Sequence, residues 1–189
     1  MGALRVRCSD PEKLRRPGIL VVANHPTLLD AWALMSQMTQ ADCIVKERYY
    51  KNFFLGGAAR AAGFIPSRDG PSLVDECVGR LRRGRSLIIF PEGTRSPKGE
   101  LGVFARGAAH IALRAGCDPV LVTIDCDPAT LYHNQPWWDV PERVPTLSLT
   151  VGDALPVKEV VSPEMSRGKA ARALTHHLRE HFERQLTRV

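Results

Sequence analysis

Ile19-Leu20-Val21-Val22-Ala23 runs directly into Asn24-His25-Pro26-Thr27-Leu28-Leu29-Asp30, and these two stretches together set the fold class. The first is continuously apolar, the pattern of a strand buried on both faces. In the second, Pro26 suits a first helical position, so residues 27–39 read as a helix. Working outward, the same alternation recurs. Short apolar runs bounded by Gly, Pro, Asp or Asn predict strands at 4–7, 43–46, 87–90, 120–124 and 147–151 besides 19–23. Helices are predicted between them. Residues 72–83 open on Ser72-x-x-Asp75, a cap-like signal, gather Leu73, Val74, Cys77, Val78 and Leu81 on one face, and stop at Gly84. Residues 104–115 carry Phe104, Ala108, Ile111, Ala112 and Ala115 and stop at Gly116. A last helix, about 163–187, opens on Ser162-Pro163-Glu164 and carries a Leu174, Leu178, Phe182, Leu186 stripe that reads as a packing face. This alternation predicts an α/β layered fold with a mainly parallel sheet flanked by helices.

With 189 residues, the chain is the size of a single domain, 1–189, whose motif-bearing core is about 15–125. Hydrophobic content of 44% and charged content of 24% are ordinary for a globular protein. A formal net charge of +6 favours anionic partners: phosphate-bearing substrates or an anionic membrane surface. Nucleic acid fits least well, because the basic residues are scattered and aromatics make up only 6% of the chain. Cys8, Cys43, Cys77, Cys117 and Cys126 form no C-x-x-C pair, which suggests a reducing compartment and small core side chains. There is no signal-peptide pattern and no apolar run of ~18 residues, so a cytoplasmic chain is expected, peripheral at the membrane's cytoplasmic face.

Ligands of parallel sheets lie at the carboxyl ends of strands, which is where His25 falls. A histidine held by a carboxylate can take a proton from a hydroxyl near neutral pH, and Asp30, in the second turn of the following helix, is placed to fold back on the ring. Asn24 can anchor the turn through its amide. Alone, the pair reads more readily as a helix cap with Asp30 on a solvated face. About sixty residues later, Phe90-Pro91-Glu92-Gly93-Thr94-Arg95-Ser96 ends a second apolar run. Gly93 permits positive φ and close approach of a substrate, Arg95 offers a planar fork suited to phosphate, and Glu92 can orient either. Alone, this too reads as a tight turn with a surface ion pair.

Together the two motifs resemble those of the glycerolipid acyltransferases, especially the 1-acyl-glycerol-3-phosphate (lysophosphatidic acid) acyltransferases, which carry N-H-x4-D and then F-P-E-G-T-R-S. Gly63-Phe64-Ile65-Pro66-Ser67-Arg68 is similar to a third block of that family, although shorter and with Ser67 where an aspartate is common. Pro119-Val120-Leu121-Val122-Thr123-Ile124 is similar to a fourth. The resemblance spans about residues 15–125. It implies that His25 and Asp30 are catalytic, His25 as general base on the acceptor hydroxyl. Arg68 and Arg95 would hold the acceptor phosphate, Gly93 and Thr94 line its approach, and Glu92 order the site. The hydroxyl would attack the thioester of acyl-CoA or acyl carrier protein without a covalent acyl-enzyme, forming phosphatidic acid for phospholipid biosynthesis. Backbone N–H groups near the helix start after His25 are candidate oxyanion donors. No cofactor or metal is called for, and no metal-ligand cluster is visible. Many members carry hydrophobic helices ahead of the histidine motif; only 23 residues precede Asn24 here, and none is expected among them. Other acceptors (a different lyso-lipid, a lipoamino acid, a specialised lipid) and a non-catalytic lipid-binding module are the competing readings.

Four further features remain. Lys46, Arg48, Lys51 and Arg60 surround Tyr49, Tyr50, Phe53, Phe54 and Leu55, which reads as an amphipathic element packed on the sheet or as a membrane-interface segment. Arg82, Arg83 and Arg85 read as a solvated helix end, with donor phosphates as a second role. The Pro-rich loop 125–146 with Trp137-Trp138 reads as a surface flap or a lid. His110, among alanines on a helix, reads as structural, and His133, His176, His177 and His181 lack an acidic partner at informative spacing.

Overall fold

The computed structural model describes residues 4–47, 56–61, 63–67, 70–97, 100–136 and 138–187. Arg68, Trp137 and most of the basic–aromatic segment (48–55) lie outside these. The described residues form one seven-stranded sheet. In chain order the strands are β1 (Arg5–Cys8), β2 (Leu20–Ala23), β3 (Ala41–Lys46), β4 (Ile65–Ser67), β5 (Ser86–Ile89), β6 (Val120–Asp127) and β7 (Thr146–Ala154). Across the sheet they lie in the order β1-β7-β6-β2-β5-β3-β4. All neighbours pair parallel except β6 and β7. The mixed, mainly parallel α/β fold is thus the expected one. All six predicted strands are present, with ends differing by up to three residues. β4 is an addition: three residues are too short for a periodicity to register.

The helices are α1 (Pro11–Leu14), α2 (Asp30–Gln37), α3 (Gly56–Ala61), α4 (Pro71–Arg82), α5 (Gly107–Ala115), α6 (Val157–Val160) and α7 (Arg167–Leu186). Alternate residues of each strand feed two cores. Val21, Ala23, Ile88 and Val122 pack with Ala33 and Leu34 of α2 on one face. Leu20, Val22, Leu87 and Ile89 pack with Cys77 and Leu81 of α4, Ile111 of α5, and Leu174, Leu178 and Phe182 of α7 on the other. Burying one such Leu or Phe contributes about 2–3 kcal/mol. The α7 stripe is therefore a packing face. No described helix is long and apolar enough to cross a membrane.

Four helix starts differ from expectation: α5 begins at Gly107 rather than at residue 104, and the other three differ for local reasons. α2 begins at Asp30 rather than at residue 27, because the side chains of Thr27 and Asp30 bind one another and hold 26–29 as a turn. α4 has Gly70 as its N-cap and Pro71 at its first position, while Asp75 of the Ser72-x-x-Asp75 signal instead pairs with Arg114. α7 begins at Arg167, after an extended Ser166. Gly84 and Gly116, at φ of 80° and 66°, end α4 and α5 as expected.

Arg85 is not part of a solvated helix end. Its guanidinium and that of Arg80 converge on Asp42, near the amino end of β3, with Nε of Arg85 at 2.7 Å from Oδ2 and Nη1 of Arg80 at 2.9 Å from the same oxygen. Burial pushes the Asp42 carboxyl up, but hydrogen bonds and charge from Arg85 and Arg80 outweigh it and hold it below the usual carboxylate value. Gly63 packs so closely that a Cβ there would stand 2.8 Å from Asp42 Oδ1. All five cysteines are free thiols, and burial pushes Cys43 and Cys77 up to about 12.

Candidate functional site

β2 and β5 are adjacent and parallel, so the segments following them emerge side by side at the carboxyl rim. The first carries His25 and Asp30; the second carries Glu92 to Ser96. The structure brings the two motifs together through hydrogen bonds.

His25 Nδ1 lies 2.8 Å from Asp30 Oδ2. The imidazole keeps a partly open side, whereas the Asp30 side chain is wholly buried. Asp30 is the first residue of α2 rather than a member of its second turn, so it reaches the ring across a tight turn. Its two oxygens are further occupied by Thr27, whose N–H donates to Oδ2 at 2.7 Å and whose hydroxyl donates to Oδ1 at 2.6 Å. The Thr27 hydroxyl in turn accepts from the Leu29 N–H at 3.1 Å. With Nδ1 on the carboxylate, Nε2 is the nitrogen left to exchange a proton with a ligand. Phe90 stacks on the ring, with centroids 4.2 Å apart and planes at 19°, and fixes its tilt.

The backbone of His25 is held as firmly as its ring. Its N–H donates to Glu92 Oε1 at 3.1 Å, and its carbonyl accepts from the Ser96 N–H at 2.7 Å. Glu92 Oε1 also accepts from the Ser96 hydroxyl at 2.8 Å, and Oε2 accepts from the Gly102 N–H at 2.7 Å. Glu92 is thus a hub between His25 and the segment leading to α5. Gly93 takes φ of 64° in the Phe90–Gly93 turn, where a side chain would be strained, and with Thr94 it lies exposed at the rim. Asn24 anchors the motif through β6 rather than through the turn: its amide donates to the Ile124 carbonyl at 2.9 Å and accepts from the Ile124 N–H at 2.7 Å.

Arg95 reaches sideways. Its Nη1 donates to the carbonyls of Leu131 and Tyr132 at 2.8 and 2.9 Å, which leaves Nε and Nη2 for other partners. Near the helix start after His25, where oxyanion donors are expected, the N–H groups of Thr27, Leu28 and Leu29 are committed to Asp30, the Leu131 carbonyl and Thr27 respectively. Thr27, Ser96 and Gly102 were not singled out from sequence. Thr27-x-x-Asp30 has capping-box spacing, and that signal points to Thr27. No comparable pattern marks Gly102. Among the other histidines, His176 does have an acidic neighbour: its Nδ1 lies 3.5 Å from Glu180 on the exposed side of α7. No group of described His, Cys, Asp or Glu residues is gathered closely enough to hold a metal ion.

Residues 5–126, which contain both motifs, match the sequence model of the acyltransferase family. The chain belongs to that family. Among its relatives, the chloroplastic 1-acyl-sn-glycerol-3-phosphate acyltransferase of Arabidopsis thaliana is 35% identical over 108 residues, covering 54% of this chain and 30% of that protein. The 1-acyl-sn-glycerol-3-phosphate acyltransferase of Pseudomonas aeruginosa is 28% identical over 130 residues, covering 64% and 49%. The human beta form is 28% identical over 169 residues, covering 79% and 59%. The chain therefore spans 30–59% of the length of these curated relatives. The chain also shares its fold with the crystal structure of the 1-acyl-sn-glycerophosphate (LPA) acyltransferase PlsC from Thermotoga maritima. The TM-score is 0.60 at 22% identity, over 93% of this chain and 71% of that one.

Proposed function

We propose that this chain transfers a fatty acyl group from an acyl thioester to the free hydroxyl of 1-acyl-glycerol-3-phosphate, forming phosphatidic acid. The observation that carries the reading is the His25–Asp30 contact of 2.8 Å, with the carboxylate wholly buried and the ring partly open beside the Glu92 turn. His25 Nε2 takes the proton of the acceptor hydroxyl, and the freed oxygen attacks the thioester carbonyl. As the tetrahedral intermediate collapses, the C–S bond breaks and the departing sulfur leaves with the proton from His25. Asp30 holds the ring in the required tautomer and stabilises the imidazolium as it forms. Glu92 fixes the His25 backbone, while Arg95, through Nε and Nη2, faces the acceptor phosphate above Gly93 and Thr94. Arg68, from the third motif, is assigned to the same phosphate by family likeness alone. The donor is acyl-CoA or acyl carrier protein, and the site works at the cytoplasmic face of a membrane, where lyso-lipid acceptors reside.

The test is transfer of a labelled acyl group from acyl-CoA to lysophosphatidic acid, run beside other lyso-lipids and with acyl carrier protein as the alternative donor. Transfer is expected, and His25→Ala is expected to lower kcat by about 10²–10⁴-fold with Tm unchanged. Transfer only to other lyso-lipids would remove the acceptor assignment. A fully active His25→Ala protein would remove the mechanism.

A further inference from the structure

The segment after β6 is gripped by both motifs at one point. The Leu131 carbonyl accepts from the Leu28 N–H at 3.1 Å, three residues beyond His25, and from Arg95 Nη1 at 2.8 Å. The same Nη1 donates to the Tyr132 carbonyl at 2.9 Å, and the Tyr132 N–H is held by Gln135 Oε1 at 3.3 Å. Leu131 has φ of 53°, a conformation that a leucine adopts at a cost, so these carbonyl contacts hold a backbone that is not its own preferred one.

Beneath this crossing lies a cleft of about 90 Å³, lined by Thr27, Pro97, Asp125, Ala129, Thr130 and Tyr132 among others. Thr27 is the residue that dresses the Asp30 carboxylate, so one wall of the cleft is part of the histidine motif. Ala129, Thr130 and Tyr132 of the segment after β6 line it as well. Asp125 is among the lining residues; an acidic residue there disfavours a phosphate and suits a hydroxyl-bearing group, while Nε and Nη2 of Arg95 remain for the anion.

We infer that Arg95 is a positioning residue as well as a phosphate ligand: it fastens segment 128–135 across the carboxyl rim, and the wall so formed selects the hydroxyl-bearing part of the acceptor. The selection rests on the acyl-transfer reading above; the fastening does not. A lysine at position 95 keeps the charge, but its three N–H donors radiate from one nitrogen on a shorter stem, so it loses the reach and the fixed fork by which Nη1 meets the two carbonyls while Nε and Nη2 face away.

Two full-length variants separate these claims. Without any substrate, Arg95→Lys is expected to be cut by chymotrypsin within residues 128–140 about fivefold faster than the unsubstituted protein, because the open population of the segment rises. Equal cutting rates would overturn the fastening. Ala129 is exposed, so Ala129→Phe fills the cleft without crowding the core. It is expected to raise the acceptor KM about tenfold, to leave the donor KM within about twofold, and to change the rate ratio between lysophosphatidic acid and lysophosphatidylglycerol. An unchanged acceptor KM and ratio would overturn the selection; so would a wild-type protein that acylates no lyso-lipid, and in that case the chymotrypsin result still decides the fastening by itself.

Discussion

Asp30 and Asp42 are both aspartates with no exposed side-chain surface, set at opposite ends of the same sheet, and they are stabilised in opposite ways. Asp42, at the amino end, is met by two guanidinium groups, those of Arg80 and Arg85. Asp30, at the carboxyl end, is met by the neutral N–H and O–H of Thr27 and by the imidazole of His25. Permanent cations neutralise a carboxylate outright, and such a group has little left with which to answer a charge arriving nearby. Dipoles pay the cost of burial while leaving the net charge in place, and that charge then acts on whatever the neighbouring ring becomes. The first arrangement locks β3 to α4 and β5. The second holds a carboxylate against the His25 ring through the neutral donors of Thr27.

The sharpest way to break this contrast is to remove charge from each aspartate in turn. Asp30→Asn is expected to lower kcat by about 10³-fold, because an amide neither fixes the tautomer nor stabilises imidazolium. A loss in acceptor KM alone, with kcat retained, would mean that Asp30 only shapes the turn. Asp42→Asn is expected to leave kcat per folded molecule unchanged and to lower stability by about 3 kcal/mol. That is the lower end for a broken buried pair, since both guanidiniums reach solvent. Urea unfolding measures it. This loss should also depend on pH with a definite sign. The folded Asp42 carboxyl sits below its usual value of 3.8, so its contribution is complete above that value and fades as pH falls through the folded pKa. The stability gap between the unsubstituted protein and Asp42→Asn is therefore expected to be full near pH 6 and to close only in acid, below about pH 4. A gap independent of pH would show that the two arginines contribute by packing.

The smallest expected effect concerns the support behind His25. A Cβ on Gly102 would stand 2.8 Å from Glu92 Oε2, so Gly102→Ala must displace the carboxylate that also holds the His25 N–H. A loss of about tenfold or less in kcat, with little change in either KM, is the expected outcome. Wild-type kinetics in that variant would show that Glu92 tolerates the displacement.

Much of this was legible in the chain. Continuous apolar runs such as Leu20–Ala23 and residues 87–90 are what a doubly covered parallel sheet requires, and the two motifs fall where adjacent strands end. What escaped depends on distance in space rather than in sequence. Nothing in the spacing of Asp42, Arg80 and Arg85 announces that strand pairing and a helix end will bring them together. Arg95 is read from sequence as a phosphate ligand because its fork suits one. That Nη1 first meets two carbonyls some thirty-six residues away follows only from where the segment after β6 crosses the rim. Thr27 was hidden by the proline before it, which drew the helix start three residues too early.

Asn24 gives the site a property that neither motif describes. By both donating to and accepting from Ile124, its side chain behaves as a spare peptide unit, continuing the β2–β6 ladder one step after the main chain has left it. The strand can then bend away without fraying. The His25 ring consequently inherits its position from the sheet, although it sits on a loop. A chemist wishing to move this histidine would have to unzip two strands to do so.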